Sequence, residues 1–112
     1  MISTHTVQKA TKPMSESVAG WTFFSNYAHV LVCLAENSDA RLRDIAERVG
    51  VTERTALRLV TEIEEAGIIR RVKEGRRNSY VINLGAHLRH PLEAHCTIGE
   101  LLAMILDIPA AS

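Results

Sequence analysis

Four arginines combine a residue type and a spacing that suit the binding of anions. Arg54 and Arg58 are four residues apart in a segment of helical periodicity, so they share one helix face. Arg76 and Arg77 are adjacent within a Gly-Arg-Arg-Asn segment whose composition is typical of a turn. A guanidinium group can donate paired hydrogen bonds to a phosphate or to the edge of a base. The same arginines could instead form a solvated helix face and a charged strand edge that prevents aggregation.

The first arginine pair lies in the second of two predicted helices. Gly50 ends the first helix, because glycine enters the left-handed conformation at no steric cost, and Thr52 is a suitable N-cap for the second. The second helix is predicted from about Glu53 to Ala66, and Gly67 ends it. The spacing of small and apolar residues around Gly50 is typical of a helix-turn-helix. These residues are Ile45, Ala46, Val49, Ala56, Leu59, Val60 and Ile63.

Charge is distributed unevenly along the second helix. On a helical wheel Arg54, Arg58 and Thr61 point away from the apolar side, and Leu57 lies at the edge. Three acidic residues occupy the C-terminal half, namely Glu62, Glu64 and Glu65. Cations toward the N-terminal half and anions behind them favour an anion-binding face over a merely solvated one.

The second arginine pair lies between two predicted strands. After Gly67 the apolar period changes from 3.6 toward 2, which predicts strands at Ile68–Glu74 and Ser79–Leu84. Between them Gly75-Arg76-Arg77-Asn78 is predicted to form the turn, which places both arginines at its tip. The short segment Ala40–Leu42 could add a third strand beside this hairpin.

The charge balance of the whole chain hides a local excess. The formal net charge is zero, which by itself argues against a nucleic-acid partner. Residues 41–90, however, carry 11 Arg or Lys and 7 Asp or Glu, a net of +4, whereas residues 1–40 and 91–112 have nets of −1 and −3. A basic middle between acidic flanks indicates a local anion-binding face.

Cysteine usage and apolar runs indicate the compartment. Cys33 and Cys96 are far apart and form no CxxC motif, which predicts a reducing environment without a disulfide framework. We interpret Cys33 as a buried small hydrophobe rather than a redox sensor. The apolar runs Val30–Ala35 and Leu101–Leu106 have six residues each, too few to span a membrane. Because the N-terminus also lacks a signal pattern, we expect a cytoplasmic protein.

Neither a metal site nor a catalytic centre is predicted. His87, His90, His95 and Cys96 follow no regular helical or finger spacing, and Pro91 interrupts them. No Ser-His-Asp set, paired carboxylates or glycine-rich phosphate loop stands out in the sequence. We therefore predict no metal, no cofactor and no enzyme activity.

The N-terminal part leads into a first helix. Residues 1–20 are rich in Ser, Thr and Lys and are predicted to form a flexible arm. Trp21, Phe23 and Phe24 follow, and they are predicted to pack on the domain or on a second subunit, because aromatic rings are costly to leave in water. A helix capped by Ser25 or Asn26 comes next. Its predicted apolar stripe consists of Tyr27, Val30, Leu31 and Leu34.

A last helix is predicted in the C-terminal tail. Thr97-Ile98-Gly99-Glu100 is a capping box, so the helix should begin at about Ile98. Its apolar face could cover the chain's own core. Three helices and a hairpin already close such a core, however, and we favour contact with a second subunit. The predicted dimer seam comprises Ile98, Leu101, Leu102 and Ile105, together with Trp21 and Phe24 at the start of the first helix.

A helix, a helix-turn-helix and then a basic hairpin resemble the winged-helix layout of MarR- and ArsR-like bacterial transcriptional regulators. Their recognition helix is similar to VGVTERTALRLVTEIEEAGIIRR, and their wing is similar to GRRNSYVI. The tail of small actinobacterial regulators of this type resembles RHPLEAHCTIGELL. The resemblance covers about residues 21–106 and implies sequence-specific binding of double-stranded DNA by a homodimer. It leaves room for a small-molecule effector of unknown identity.

The resemblance also implies particular DNA contacts. Groove contacts fall on Thr52, Arg54, Thr55, Leu57, Arg58 and Thr61, and wing contacts fall on Arg76 and Arg77. Leu57 departs from the family pattern, because related regulators usually have a polar residue there and a leucine can only touch a thymine methyl group or pack. The ArsR-like cysteine pair is also missing from the recognition region.

These observations predict a mainly α, α+β fold, a winged helix-turn-helix with a two-stranded β-wing and a C-terminal dimerisation helix. Residues 21–90 would form the DNA-binding domain, and residues 91–112 would form a tail with the dimerisation helix. The predicted function is that of a homodimeric transcriptional regulator. The alternative is a winged-helix protein-interaction module that happens to be basic and does not bind DNA sequence-specifically.

Overall fold

The computed structural model describes residues 20–107, which contain four helices and one two-stranded sheet. The elements in chain order are α1 (Asn26–Glu36), α2 (Leu42–Val49), α3 (Glu53–Glu65), β1 (Ile69–Glu74), β2 (Arg77–Ile82) and α4 (Ile98–Leu106). A helix-turn-helix formed by α2 and α3 and followed by a hairpin is the predicted α+β winged-helix architecture, which is thereby confirmed. The predicted flexible arm lies outside the described residues except for Gly20, and so do residues 108–112 of the predicted tail.

Local sequence determines where α2 ends and where α3 begins and ends. Gly50 follows α2 with a φ of +90°, in the left-handed region that favours glycine. Thr52 caps α3, and its hydroxyl accepts a hydrogen bond from a backbone N–H three residues later at 3.1 Å. Gly67 has a φ of +81°, which lets the Ile68 N–H reach back to the Ile63 carbonyl at 3.2 Å. The predicted turn between α2 and α3 and the end of α3 are thus confirmed.

An apolar core joins the four helices to the hairpin. Its buried residues are Val30, Leu31, Cys33, Leu34, Ile45, Ala46, Ala56, Leu59, Val60, Ile63, Ile69, Tyr80, Ile98 and Leu102. Cys33 lies inside this core, as predicted for a small hydrophobe, and burial raises the pKa of its thiol. Tyr27 does not belong to the apolar stripe as predicted, because its ring is exposed and its hydroxyl bonds to Glu62 at the surface.

The hairpin turns more tightly than predicted. In the antiparallel pairing of β1 and β2, Glu74 lies opposite Arg77, so the loop consists of Gly75 and Arg76 alone. Gly75 has a φ of +65°, and a glycine at the first position of a two-residue loop is the pattern of a type II′ turn. The predicted four-residue turn is therefore wrong, and Arg77 is the first residue of a strand rather than part of the tip.

The predicted third strand at Ala40–Leu42 is also wrong. Leu42 already begins α2, and the extended backbone before it is too short to form a ladder with the hairpin. A backbone hydrogen bond from the Tyr80 N–H to the Ser38 carbonyl at 2.9 Å joins β2 to the turn after α1. At the other end of β2 the strand stops at Ile82, two residues short of the prediction.

Helix α4 begins at a capping box, as predicted. The Thr97 hydroxyl accepts from the Glu100 N–H at 3.1 Å, and the Glu100 carboxylate accepts from the Thr97 N–H at 2.8 Å. The same turn lies against the chain after β2, where the Gly99 N–H donates to the Leu84 carbonyl at 2.9 Å. A Cβ atom on Gly99 would lie 3.1 Å from that carbonyl oxygen, so a side chain here would have to displace the Leu84 backbone by a few tenths of an ångström.

The burial of α4 changes the predicted dimer seam. Ile98 and Leu102 are only 2% and 3% exposed and pack in the core shared with α1, so they close the chain's own core rather than face a partner. The reason is that α1, α2, α3 and the hairpin leave one side of α1 open, and α4 covers it. Leu101 and Ile105 are half-buried, and Met104 is exposed.

Candidate nucleic-acid interface

The outward face of α3 exposes Arg54 in the first turn of the helix. Within residues 20–107, no hydrogen bond or ion pair engages its guanidinium group. The N-terminal residues of the second helix in a helix-turn-helix are those that reach base edges in the major groove. Arg54 therefore combines the position and the unoccupied donors that contact with a guanine or a phosphate requires.

Thr52 and Thr55 form a hydrogen-bonded pair beside Arg54. The Thr52 hydroxyl accepts from the Thr55 N–H at 3.1 Å and donates to the Thr55 hydroxyl, also at 3.1 Å. The single proton of the Thr52 hydroxyl is thus used within the first turn of α3. The Thr55 hydroxyl accepts in this pair, so its own proton remains available to a phosphate oxygen. Of these two predicted contacts, the geometry favours Thr55.

Arg58 has a partner on its own helix. Its Nη1 atom lies 3.4 Å and 3.5 Å from the two carboxylate oxygens of Glu62, one turn further along α3. Tyr27 of α1 donates its phenolic hydrogen bond to the same carboxylate, and this bond raises the pKa of Tyr27. The sequence pattern assigned Glu62 to an acidic half away from DNA, whereas the structure connects it directly to the arginine face.

Two further predicted contacts on α3 differ in exposure. Leu57 is 47% exposed on the outward face, so an apolar side chain occupies part of the surface that would enter a groove. Thr61 is half-buried one turn after it. A leucine can contribute there only by packing on a thymine methyl group.

The two wing arginines have different surroundings. Arg76 is exposed in the loop, and no ion pair involves it within residues 20–107. Arg77 donates to the Asp39 carboxylate at 2.9 Å, which links the start of β2, next to the loop, to the turn between α1 and α2. Arg76 therefore remains a candidate for DNA contact, while Arg77 already holds the hairpin against the helices.

Strand β1 carries three more cations that sequence reasoning counted but did not assign. Arg70 and Lys73 are exposed and, among the described residues, make no ion pair. Arg71 instead bonds to Glu64 at 2.9 Å and lies 6.0 Å from the centre of the Tyr80 ring. The alternation along the strand is the signal that could have separated Arg70 from Arg71, because neighbouring strand residues point to opposite faces.

The histidine-rich loop before α4 makes local hydrogen bonds. The His87 Nδ1 atom lies 2.9 Å from the Ala94 carbonyl oxygen, and His90 Nδ1 accepts from the Leu92 N–H at 3.0 Å. Across residues 20–107, no three His, Cys, Asp or Glu side chains come together in a way that could hold a metal ion. In the same part of the chain, every helix is too short or too polar to cross a membrane.

The aromatic residues before α1 are exposed. Trp21 and Phe23 contact each other edge to face, with ring centres 5.0 Å apart, and Phe23 is 89% exposed. Phe24 borders a cavity of about 740 Å³ between α1, the end of α3 and the loop before α4. The single chain therefore does not show the first of the two predicted arrangements, in which these aromatic rings pack on the domain. Contact with a second subunit remains a prediction.

A helix-turn-helix with an arginine-bearing second helix, followed by a basic two-stranded wing, defines the winged-helix class of DNA-binding folds. Residues 25–75, from the start of α1 to the end of β1, match the model of the MarR family. This match confirms the predicted resemblance to a MarR-like winged-helix transcriptional regulator, and it does not extend to the ArsR-like or actinobacterial features. Regulators of this family are not enzymes. No curated protein matches the chain.

Proposed function

We propose that this protein is a sequence-specific transcriptional regulator that binds double-stranded DNA as a homodimer in the cytoplasm. The observation that carries the proposal is the exposed Arg54 in the first turn of α3, without a partner among the described residues. Arg76 at the wing tip supplies a second cation, and it also makes no ion pair with another described residue. In this arrangement α3 enters the major groove, and the wing contacts the backbone or the adjacent minor groove.

The proposed dimer seam follows from the apolar residues that the single chain leaves exposed. Trp21 and Phe23 are exposed before α1, and Met104 is exposed on α4 between the half-buried Leu101 and Ile105. A seam at the two ends of the described chain leaves α3 and the wing free for DNA. Residues 21–90 would then supply the DNA contacts, and residues 91–112 together with the aromatic residues would supply the seam.

Selection of bound sequences from a random pool of DNA duplexes tests the proposal. A regulator of this kind enriches a two-fold symmetric sequence, because a dimer reads two related half-sites. Arg54→Ala should weaken binding of the enriched sequence by about 1–3 kcal/mol, the contribution of a paired contact with guanine. Arg89→Ala is the matched control, because Arg89 is an exposed arginine outside the helix-turn-helix and the wing.

Two results would contradict the proposal. The first is a pool in which no sequence is enriched by the parent protein. The second is equal affinity of the parent and Arg54→Ala for the enriched sequence, with the thermal unfolding of both unchanged. An electrophoretic shift with the DNA upstream of the protein's own gene provides an independent measurement.

One observation favours the alternative of a protein-interaction module. Leu57 exposes an apolar side chain at the edge of the outward face of α3, where a protein partner could bury it. In that case Leu57→Ser should abolish capture of the partner, while Arg54→Ala should have a smaller effect. In the DNA-binding case the order is reversed, because the arginine makes the directional contact.

A further inference from the structure

Two side chains, one from α1 and one from α3, meet at the Glu62 carboxylate. Arg58 approaches it from the preceding turn of α3 at 3.4 Å, and Tyr27 donates a hydrogen bond to it from α1. The geometry draws the Arg58 guanidinium toward the C-terminal end of α3. The N-terminal turn, where Arg54 is exposed, is the part of the helix that enters a groove. Arg58 therefore has to leave Glu62, or share its donors, before it can bind DNA.

The ion pair is weak enough to be broken by DNA. The side chains of Arg58 and Glu62 are 56% and 42% exposed, so water screens their attraction. Exposed pairs of this kind change an equilibrium by about 1.5- to 5-fold. A competitor of this strength lowers affinity without preventing binding.

Tyr27 determines what happens to the carboxylate when Arg58 leaves. Because its hydroxyl belongs to α1, Tyr27 holds Glu62 from a second element. A carboxylate that already accepts this hydrogen bond attracts the Arg58 guanidinium group less strongly. It also keeps a partner after the ion pair opens, which lowers the cost of releasing the arginine.

We propose that Glu62 limits DNA affinity by competing with DNA for Arg58, and that Tyr27 moderates this competition by holding the Glu62 carboxylate. This inference rests on the proposed DNA-binding function. Glu62 and Tyr27 are positioning residues, since both act through Arg58 and neither has to touch DNA.

The two positioning residues should have opposite effects on binding. Glu62→Gln removes the competing charge and should tighten binding of duplex DNA by about 1.5- to 5-fold. Tyr27→Phe leaves the carboxylate to Arg58 alone and should weaken binding within the same range. In the Glu62→Gln background, Tyr27→Phe should have no further effect, because the carboxylate through which it acts is gone.

Control variants separate this competition from a general change of charge. Glu65→Gln makes the same charge change on α3, and within the described residues no hydrogen bond or ion pair involves the Glu65 side chain. Its effect on affinity gives the part due to net charge. In an Arg58→Met background, the effect of Glu62→Gln should shrink to that of Glu65→Gln. Equal effects of the two glutamine variants in the parent background would overturn the inference while leaving DNA binding intact.

The ionisation of Tyr27 gives a second measurement that requires no DNA. The hydrogen bond to Glu62 raises the pKa of Tyr27, and Arg58 acts in the opposite direction. Glu62→Gln should therefore lower the pKa of Tyr27 in an absorbance titration, and Arg58→Met should raise it. The chain has two tyrosines, so Tyr27→Phe identifies the relevant transition.

The combined results distinguish the inference from the proposed function. A Tyr27 ionisation that responds to neither variant would show that the contact is absent in solution, and the inference would fail even if the parent binds DNA. A parent protein that binds no duplex would overturn both the proposed function and the inference. Opposite shifts of the Tyr27 pKa in Glu62→Gln and Arg58→Met, together with tighter DNA binding by Glu62→Gln but not by Glu65→Gln, would support both the proposed function and the inference.

Discussion

The guanidinium group of Arg77 lies 2.9 Å from the carboxylate of Asp39, which is 38 positions earlier in the chain. The pair links the start of β2, next to the hairpin loop, to the turn between α1 and α2, and the hydrogen bond from Tyr80 to Ser38 lies beside it. Both partners are substantially exposed, so the pair adds little to stability. Its consequence is that the two adjacent wing arginines have different surroundings, because Arg77 is paired with Asp39 and Arg76 is not.

The wing should therefore respond differently to two neighbouring substitutions. Arg76→Ala should lower affinity for all DNA sequences and reduce the slope of log affinity against log salt by about 0.9, the value for one lost phosphate contact. Arg77→Ala should change this slope less, because Arg77 is already paired with Asp39. Titrations at several salt concentrations measure both slopes. Arg76→Ala with the parent's slope would remove the wing tip from the DNA interface.

Features that depend on neighbouring residues could be predicted from the sequence. The turn at Gly50, the cap at Thr52 and the capping box at Thr97 and Glu100 are set within a few residues. These signals fixed the helix-turn-helix and placed Arg54 on its outward face. They act locally, so no knowledge of the packing was required.

Features that depend on packing could not be predicted in this way. The pairing of Arg77 with Asp39, and that of Tyr27 with Glu62, join residues 38 and 35 positions apart. The burial of Ile98 and Leu102 depends on the side of α1 that the other elements leave open. An apolar helix face looks the same in sequence whether its own core or a second subunit covers it.

Gly67 should be required for the sharp turn from α3 into β1. Its φ of +81° lies where a side chain is strained, so Gly67→Ala should reduce the free energy of unfolding by about 1–2 kcal/mol. Gly85→Ala is the control, because the added Cβ would make only an ordinary contact, 3.8 Å from the Asn83 side chain. Urea unfolding measures both variants. Equal losses in the two would contradict the role given to the left-handed turn.

The Cys33 thiol should be protected and should make stability depend on pH. Burial in the core raises its pKa, so it should react with a thiol reagent more slowly than the half-buried Cys96. Because the folded pKa is raised, the contribution of Cys33 is complete below the ordinary thiol pKa of about 9 and is lost as the pH rises through the folded value.

A comparison with Cys33→Val tests this pH dependence. The difference in the free energy of unfolding between the parent and the variant should stay constant near neutral pH. At alkaline pH the parent should lose stability relative to the variant. The raised pKa of Tyr27 affects both proteins equally and cancels in the difference. A constant difference between the two proteins at all pH values would show that the thiol is not desolvated.

The last prediction concerns the dimer, and the burial of α4 decides which variants can test it. Removing residues 97–112, or placing a charge at Leu102, would open the chain's own core, because Ile98 and Leu102 are buried in it. Monomers obtained in that way would reveal nothing about a seam. Met104 is exposed on the same helix, so Met104→Asp places a charge at the proposed seam without disturbing the core.

Met104→Asp should give monomers in sedimentation experiments, while its circular dichroism and thermal unfolding should stay close to those of the parent protein. A monomer reads one half-site, whereas a two-fold dimer holds two recognition helices about 34–36 Å apart. The variant should therefore lose binding to the symmetric sequence although Arg54 and Arg76 are intact. Phe23→Ser tests the aromatic end of the seam in the same way, since Phe23 is almost fully exposed in the single chain. If both variants remain dimeric and bind the symmetric sequence as tightly as the parent, the seam lies elsewhere on the molecule.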